Sequence, residues 1–291
     1  MTAGRVVFIG AGPGAADLIT LRGAAWLARA EVVLHDALTD PALRELAPQA
    51  RWVDVGKRGY AHATGQAKID AMLIAEAGRH AIVVRLKGGD PSVFGRLEEE
   101  LQALAAAGIA CEVVPGITAA LAAAADARRP LTRRGSGRTL SLATAMTRAG
   151  PHELQRQADT EVFYMAGLRL AALAQELLHA GWSADTPASV VSRAGWPDSL
   201  ESAHRLADLG AAATLHAGRP TIVVVGAGAA PACTPAPGSA LPPAAASALP
   251  SALPSALPSA LPSALQPTLP PALAPAARLD AEQNGNTPAS T

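Results

Sequence analysis

The residues between Arg85 and Arg96 have the composition of the floor of a small-molecule site. The segment Arg85-Leu-Lys-Gly-Gly-Asp-Pro-Ser-Val-Phe-Gly-Arg96 directly follows the apolar run Ala81–Val84. A strand that ends in Gly-Gly lets a ligand approach the peptide groups, because no Cβ stands between them. In open α/β sheets, ligands bind at the carboxyl ends of the strands. The cations Arg85, Lys87 and Arg96 predict a basic rim around such a site.

A second glycine-rich turn, Gly10-Ala-Gly-Pro-Gly14, lies between the apolar run Val6–Ile9 and a helical pattern from Leu18 to Leu27. This order predicts the opening of a βαβ unit. The spacing differs from the dinucleotide fingerprint, and Pro13 lacks the N–H that a phosphate cradle would use. Two alternatives remain open, a nucleotide-binding oxidoreductase with Asp36 gripping a ribose and a tight turn without a ligand.

The composition limits the classes of protein to be considered. The chain has 291 residues with a formal net charge of zero, which argues against a nucleic-acid-binding protein. Its two cysteines, Cys111 and Cys233, predict neither a disulfide framework nor a zinc site, and Cys111 is expected to be buried in its apolar run. We find no secretory signal and no apolar run of about 18 residues, so we expect a cytoplasmic protein without a membrane span.

Short apolar runs alternate with helical patterns through the first half of the chain, which predicts a mostly parallel sheet covered on both faces. The predicted strands are Val6–Ile9, Glu31–Leu34, Trp52–Val55, Ala81–Leu86 and Cys111–Val114. The predicted helices are Asp17–Ala28, Pro41–Leu46, Gly65–Ala77 and Leu97–Ala107.

A second α/β unit begins after Pro115-Gly116, so the predicted organisation is an N-terminal α/β domain (1–116) and a C-terminal α/β domain (117–228). Its predicted strands are Thr139–Thr144, Glu161–Met165, Ala188–Val191 and Thr221–Val225, and its predicted helices are Ala119–Ala125, Leu168–Ala180 and a piece around Ala203–Ala212.

The remaining residues, 229–291, form a tail rich in Ala, Leu, Pro and Ser. Its Ser-Ala-Leu-Pro unit repeats four times from Ser247 to Pro262. A proline at every fourth residue prevents a continuous helix, so we expect a disordered or polyproline-II-like tail. A ligand for a proline-binding module is the alternative.

Taken together, the order and spacing of these segments resemble the uroporphyrinogen-III C-methyltransferases, which are tetrapyrrole methylases that use S-adenosylmethionine. The segments that carry the resemblance are Gly10–Gly14, Asp17–Leu21, His35–Leu38, Val55–Arg58, Arg85–Arg96, Val114–Ala119, Pro130–Arg134, Phe163–Met165 and Pro220–Gly226. The resemblance implies two α/β domains of the tetrapyrrole methylase type, with the active site in the cleft between them, and a homodimer.

The resemblance also implies a binding site for S-adenosyl-L-methionine, with S-adenosyl-L-homocysteine as its product and no metal. Methyl transfer from a sulfonium requires binding, alignment and exclusion of water, which suits a pocket of peptide groups. The residues carried over are Pro13, Gly88, Gly89, Asp90, Val93, Thr118, Ala119, Met165 and Ala194. The alternatives are that Asp90 caps a turn, Thr118 caps a helix and Met165 is a core residue.

The acceptor in this family carries eight carboxylates, and arginine pairs with a carboxylate at two points. By resemblance, Arg96, Glu99 and Arg134 contact the substrate, Asp36 is the proton acceptor and Lys57 the proton donor. Arg96 is also a candidate to assist loss of the proton after methylation, although a guanidinium is a poor base. The alternatives are an ion pair of Arg96 with Glu99 or Glu100 and a turn role for Asp36.

Four positions depart from the family pattern at the rim of the pocket. Arg133 replaces a histidine, Leu97-Glu98 replaces Gly-Gly, Ala194-Gly195-Trp196 replaces a turn containing Gly-Thr, and Met146-Thr147 replaces Gly-His. These departures bear on the orientation of the substrate more than on the binding of the donor.

The resemblance therefore predicts an enzyme that adds two methyl groups to uroporphyrinogen III and gives precorrin-2, which feeds sirohaem, cobalamin or haem d1. The alternatives are a later corrin-ring methyltransferase, the oxidoreductase described above, and a relative that binds these ligands without turning them over.

Overall fold

We describe a computed structural model of the chain over residues 4–56, 65–146 and 155–232. The predicted proton donor Lys57, the residue Cys233 and the repeats from Ser247 to Pro262 lie outside the described residues. Within the described part of the chain, no helix is both long and apolar enough to cross a membrane.

The first domain contains a five-stranded sheet in the order β3-β2-β4-β1-β5, and every neighbouring pair is parallel. Its strands are β1 (Arg5–Gly10), β2 (Val32–His35), β3 (Arg51–Asp54), β4 (Ile82–Lys87) and β5 (Ala110–Val114). The parallel sheet predicted from the alternating pattern is confirmed. The turns after β1, β2, β4 and β5 therefore meet at one edge of this sheet.

Helices cover both faces of the parallel sheet. The helices are α1 (Leu21–Leu27), α2 (Gln66–Ala77) and α3 (Leu97–Ala106), with 3-10 turns at Ala16–Leu18 and Pro41–Leu46. Along β1, Val7 and Ile9 pack into the core on the α1 side, and Val6 and Phe8 pack into the core on the α2 and α3 side. The prediction of a single helix over Asp17–Ala28 is wrong. The 3-10 turn ends at Leu18, and α1 begins separately after its N-cap Thr20, whose hydroxyl accepts a hydrogen bond from the Gly23 N–H.

The second domain contains a mixed five-stranded sheet in the order β6-β7-β10-β8-β9. The strands of this sheet are β6 (Leu140–Thr144), β7 (Thr160–Tyr164), β8 (Pro187–Ser192), β9 (Leu200–Arg205) and β10 (Thr221–Gly226). The helices of the domain are α4 (Ala119–Asp126) and α5 (Leu170–His179). Two 3-10 turns lie at Leu206–Ala213 and Ala227–Ala229. Only β6 and β7 are parallel to each other; the other pairs are antiparallel.

Two local predictions are wrong. The stretch around Ala203–Ala212 begins as strand β9, because alternate residues there are exposed and the strand pairs with β8, and a 3-10 turn follows. Cys111 is exposed rather than buried, because β5 lies at the edge of the first sheet. The predicted boundary near Gly116 stays a prediction; it lies between the end of β5 and the start of α4.

Three glycines pack backbone against backbone at the carboxyl edge of the first sheet. A Cβ at Gly116 would lie 2.3 Å from the carbonyl oxygen of Gly89 and 2.7 Å from the Cα of Gly10. Neither contact can be relieved by the movement of a side chain, so the turns after β1, β4 and β5 are held together only while these positions lack side chains.

We therefore expect Gly116→Ala to lower the free energy of unfolding by about 1–3 kcal/mol, the range for overpacked sites. The matched control is Gly78→Ala at the end of α2, where a Cβ would meet its nearest neighbour at 3.5 Å. Denaturant unfolding of both variants measures the difference. Equal stability of the two variants would contradict the close approach of the three turns.

Candidate active site

A cavity lies between the two domains at the carboxyl edge of the first sheet. Turns after β1 and β4 and the start of α4 form one side, and turns after β7 and β8 and the start of β10 form the other. The lining residues are Pro13, Leu38, Gly88, Gly89, Asp90, Val93, Phe94, Thr118, Ala119, Tyr164, Met165, Arg193, Ala194, Trp196, Pro220, Thr221 and Ile222. All the residues predicted to bind the methyl donor are among them. The structure brings these residues together, and their role as donor ligands stays a prediction.

The Gly88–Asp90 turn forms the floor of the cavity. Gly89 has a φ of +72°, and its N–H and carbonyl pair with the carbonyl and N–H of Gly12 at 2.7 and 3.3 Å. The Asp90 carboxylate accepts hydrogen bonds from the N–H groups of Ser92 at 2.8 Å and Gly116 at 2.9 Å. Asp90 therefore has the turn-capping role that was the alternative to direct ligand binding, while it also lines the cavity.

An aromatic pair closes one wall of the cavity. The Tyr164 hydroxyl lies 2.7 Å from the Thr118 hydroxyl and accepts a hydrogen bond from the Ala120 N–H at 3.3 Å, and the ring of Phe94 packs 4.9 Å from that of Tyr164. Thr118 is the N-cap residue of α4 but makes no side-chain capping bond. Burial raises the pKa of Tyr164, so this wall is uncharged at neutral pH.

Met165 is not a core residue, which removes the alternative suggested by its apolar strand. Its side chain is 49% exposed at the cavity, and its φ of 57° turns the chain sharply after β7. A non-glycine residue in this backbone region is uncommon and marks a locally strained turn. The turn directs the methionine into the cleft instead of into the sheet.

The second domain is hydrogen-bonded to the first beside the cavity. The Ala15 N–H donates to the Gly195 carbonyl at 2.8 Å, and the Trp196 indole N–H donates to the Pro13 carbonyl at 3.1 Å. The Arg193 guanidinium stacks on the Trp196 ring at 4.3 Å. The turn that departs from the family pattern is therefore the one that links the two domains here.

The prediction of a basic rim is wrong for Arg85 and Lys87. Both side chains are buried, with exposures of 3% and 2%, and they flank Glu100, which is 0% exposed. Glu100 accepts from Arg85 Nε at 3.1 Å and from Lys87 Nζ at 2.7 Å. Both side chains lie on the same face of β4, because Arg85 and Lys87 are alternate residues of the strand, and neither lines the cavity.

The same cluster reaches the predicted proton acceptor. Arg85 Nη2 donates to Asp36 Oδ1 at 2.6 Å, and the Gly88 N–H lies 3.4 Å from Asp36 Oδ2. Burial alone would lower the pKa of Arg85, but the adjacent carboxylates of Asp36 and Glu100 outweigh it and raise that pKa. Burial lowers the pKa of Lys87, with repulsion from Arg85 acting in the same direction.

Asp36 lines a second cavity rather than the first. That cavity is formed by the turn after β2 and the end of β3, with the lining residues His35, Asp36, Ala37, Thr39, Asp40, Pro41, Arg44, Trp52 and Asp54. The Asp36 side chain is 32% exposed at this cavity, although Arg85 and the Gly88 N–H each contact one oxygen of its carboxylate.

The predicted substrate contacts Arg96, Glu99 and Arg134 line neither cavity. Arg96 makes a two-point ion pair with Glu99 at 2.8 and 2.5 Å, with both side chains roughly half exposed, as the alternative for Arg96 predicts. Arg134 is exposed in the turn after Arg133, and the Arg133 guanidinium donates to the carbonyls of Ala230 and Pro231.

Several residues of the site were missed from the sequence. Tyr164 and Trp196 lie inside segments that the sequence did single out, and their aromatic rings were the available signal. Glu100 follows two other glutamates, Glu98 and Glu99, and no local signal distinguishes the one that is buried. Among the described residues, no group of His, Cys, Asp and Glu side chains is arranged to hold a metal ion.

The chain matches a family model described as "Tetrapyrrole (Corrin/Porphyrin) Methylases" over residues 5–210, and it belongs to that family. It is 39% identical over 233 residues to a uroporphyrinogen-III C-methyltransferase from Synechocystis, covering 77% of this chain and 89% of that protein. It is 40% identical over 229 residues to siroheme synthase 1 from Yersinia pseudotuberculosis, covering 77% of this chain but 48% of the relative. The chain thus spans about half the length of the siroheme synthase.

Among solved structures, the fold is similar to that of the uroporphyrin-III C-methyltransferase from Thermus thermophilus complexed with S-adenyl homocysteine. The TM-score is 0.67 at 36% sequence identity, with 77% of this chain and 97% of that chain covered. The two-domain α/β architecture expected from the resemblance is confirmed by this likeness.

Proposed function

We propose that the chain transfers methyl groups from S-adenosyl-L-methionine to uroporphyrinogen III, in two transfers that give precorrin-2. The observation that carries the proposal is the cavity between the domains, which collects all the predicted donor residues in a member of the tetrapyrrole methylases. Relatives of similar length that carry this activity in their names support the choice of substrate.

The residues of this cavity fit S-adenosyl-L-methionine. The Gly88–Asp90 turn offers peptide groups without intervening side chains, and Phe94, Tyr164 and Trp196 offer apolar and aromatic surface for an adenosine. The donor supplies a methyl group already activated by its positively charged sulfur. The chain has to bind the donor, align it and keep water out.

The acceptor site is proposed to lie along Asp36, Arg96 and Arg134. Methyl transfer to a ring carbon forms a C–C bond and breaks the C–S bond of the donor, and a proton then leaves the ring. Asp36 is the proposed acceptor of that proton, because Arg85 holds its carboxylate in a fixed position at 2.6 Å and its side chain is 32% exposed in the second cavity. Arg96 is a substrate-binding group, since its guanidinium cannot act as a base at neutral pH.

Arg96, Glu99 and Arg134 are proposed to bind the carboxylates and ring nitrogens of the macrocycle. The two-point pairing of Arg96 with the carboxylate of Glu99 supports this role, because the same fork suits a substrate carboxylate. The proposed proton donor Lys57 rests on the resemblance alone.

Incubation of the protein with uroporphyrinogen III and S-adenosyl-L-methionine tests the function. We expect a product that carries two added methyl groups by mass spectrometry and one S-adenosyl-L-homocysteine per transfer. Separate incubations with later corrin-ring precursors, and a melting-temperature measurement with NAD, test the alternatives. Methylation of a corrin precursor alone, or stabilisation by NAD alone, would overturn the proposal.

Asp36→Asn tests the proton acceptor within the same assay. We expect a loss of at least about 100-fold in kcat, within the range for general-base catalysis. The matched control is Asp40→Asn, since Asp40 lines the same cavity but caps the backbone N–H groups of Ala16 and Ala42. A loss that is equal in the two variants would exclude a specific role for Asp36.

Trp196→Phe keeps an aromatic ring at the cavity but removes the indole N–H that donates to Pro13. We expect the affinity for S-adenosyl-L-homocysteine to fall by about 3- to 10-fold, because this bond holds two lining residues together across the cavity and is worth about one net hydrogen bond. Isothermal calorimetry measures it. Trp52→Phe, which removes a similar bond to the Ala47 carbonyl away from this cavity, should bind normally; an equal loss there would contradict the prediction.

We also propose that the chain is a cytoplasmic homodimer. Leu140 and Leu142 lie on one face of the edge strand β6 and are 39% and 40% exposed, so a second copy would remove apolar surface from water. The free, exposed thiol of Cys111 suits a reducing compartment. Light scattering is expected to give the mass of two chains, and Leu142→Lys to shift it towards one. A wild-type protein with the mass of one chain would refute the dimer.

A further inference from the structure

Glu100 is the most deeply buried charged side chain near the proposed acceptor site. It is fully shielded from solvent and accepts hydrogen bonds from Arg85, Lys87 and the Gln66 amide, the last at 3.2 Å. A buried carboxylate is tolerated only with such partners, because its transfer from water is strongly unfavourable. Glu100 has no role in the proposed mechanism, although it directly follows the proposed substrate contact Glu99 in the sequence.

Arg85 connects Glu100 to Asp36. Its Nε donates to Glu100, its Nη2 donates to Asp36 and its Nη1 donates to the Leu86 carbonyl at 3.1 Å. The guanidinium is planar, so fixing Nε on Glu100 fixes the direction of the N–H that holds Asp36. The position of the Asp36 carboxylate thus depends on the position of the Glu100 carboxylate.

The charges of the cluster also indicate that Glu100 affects Asp36. Arg85 and Lys87 are buried cations, and Glu100 and Asp36 are the carboxylates bonded to them. With Glu100 neutralised, Asp36 would be the remaining carboxylate bonded to these cations among the described residues, and its side chain would be drawn out of the second cavity towards them. Glu100 therefore helps to keep the Asp36 carboxylate exposed to that cavity.

We propose that Glu100 is a positioning residue for the proton-accepting Asp36 and acts through Arg85. The inference rests on the proposed function, because it concerns the step in which a proton leaves the methylated ring. Glu100 is fully buried and lines neither cavity, so it would contact neither the donor nor the acceptor. Its effect should appear in the rate of turnover and not in the binding of S-adenosyl-L-homocysteine, whose proposed cavity Glu100 does not line.

The test compares Glu100→Gln with Glu161→Gln. Glu161 is likewise buried, with 3% exposure, and its carboxylate accepts from the Gln157 N–H and the Trp182 indole in the second domain. These bonds do not connect it to Asp36 through any of the described residues. We expect both variants to lower the melting temperature. Only Glu100→Gln should lower kcat, by at least about tenfold, with the Kd for S-adenosyl-L-homocysteine within about twofold of wild type.

A double-mutant cycle with Arg85→Lys identifies the route. A lysine keeps the charge, but its single ammonium cannot hold Glu100 and Asp36 in the fixed geometry of a guanidinium. If Glu100 acts through Arg85, the double variant should be no slower than the slower single variant, whereas Glu161→Gln and Arg85→Lys should act additively. If Glu100→Gln fails to fold, Arg85→Lys alone should show the selective loss of kcat.

The outcomes are distinguishable. A kcat for Glu100→Gln equal to that of Glu161→Gln, or an Arg85→Lys enzyme with normal kcat, would overturn the positioning role and leave the proposed function intact. A parallel loss of kcat and donor affinity would identify Glu100 as merely structural. A wild-type protein that methylates no tetrapyrrole would overturn the proposed function and this inference together.

Discussion

A carboxylate buried at 0% exposure has to be matched by cations that are buried with it, and Glu100 is matched by Arg85 and Lys87. Removing either partner would leave an uncompensated charge, which typically costs about 3–5 kcal/mol. Because Glu100 belongs to α3 and both cations belong to β4, this requirement holds the start of the helix over the end of the strand. The Gly88–Asp90 turn lies between those two elements, where its backbone pairing with Gly12 and the bond from the Gly116 N–H to Asp90 fix its position.

The two sheets contribute different things to the cleft. The parallel sheet brings the turns after β1, β4 and β5 to one edge, where Gly12 and Gly89 pair through their backbones. The mixed sheet contributes the turns after β7 and β8, which place Met165 and Trp196 opposite them. The cleft between the domains is thus lined by the peptide groups of Gly88–Asp90 together with Phe94 on one side, and by Tyr164, Met165 and Trp196 on the other.

Much of this arrangement could be predicted from the sequence, because strand periodicity and glycine turns are local signals. Parallel strands have their carboxyl ends at one edge, so the strand-end turns had to converge. The features that were predicted wrongly depend on tertiary structure. Whether Arg85 faces solvent or Glu100 depends on which face of β4 is covered by α3, and Cys111 is exposed because β5 has a neighbour on one side only. Neither fact is encoded within a few residues.

The replacement of Gly-Gly by Leu97-Glu98 has a physical consequence for Arg96. Phe94 and Arg96 have φ values of 53° and 54°, a region that side chains rarely adopt, and a Cβ at the intervening Gly95 would lie 2.5 Å from the Pro91 carbonyl. Such strain persists only where the surroundings fix it. Here the Phe94 ring is held against Tyr164, and α3 is anchored by Glu100. The backbone at Arg96 is therefore fixed by packing at both ends of this turn, while its guanidinium is directed by the two-point ion pair with Glu99.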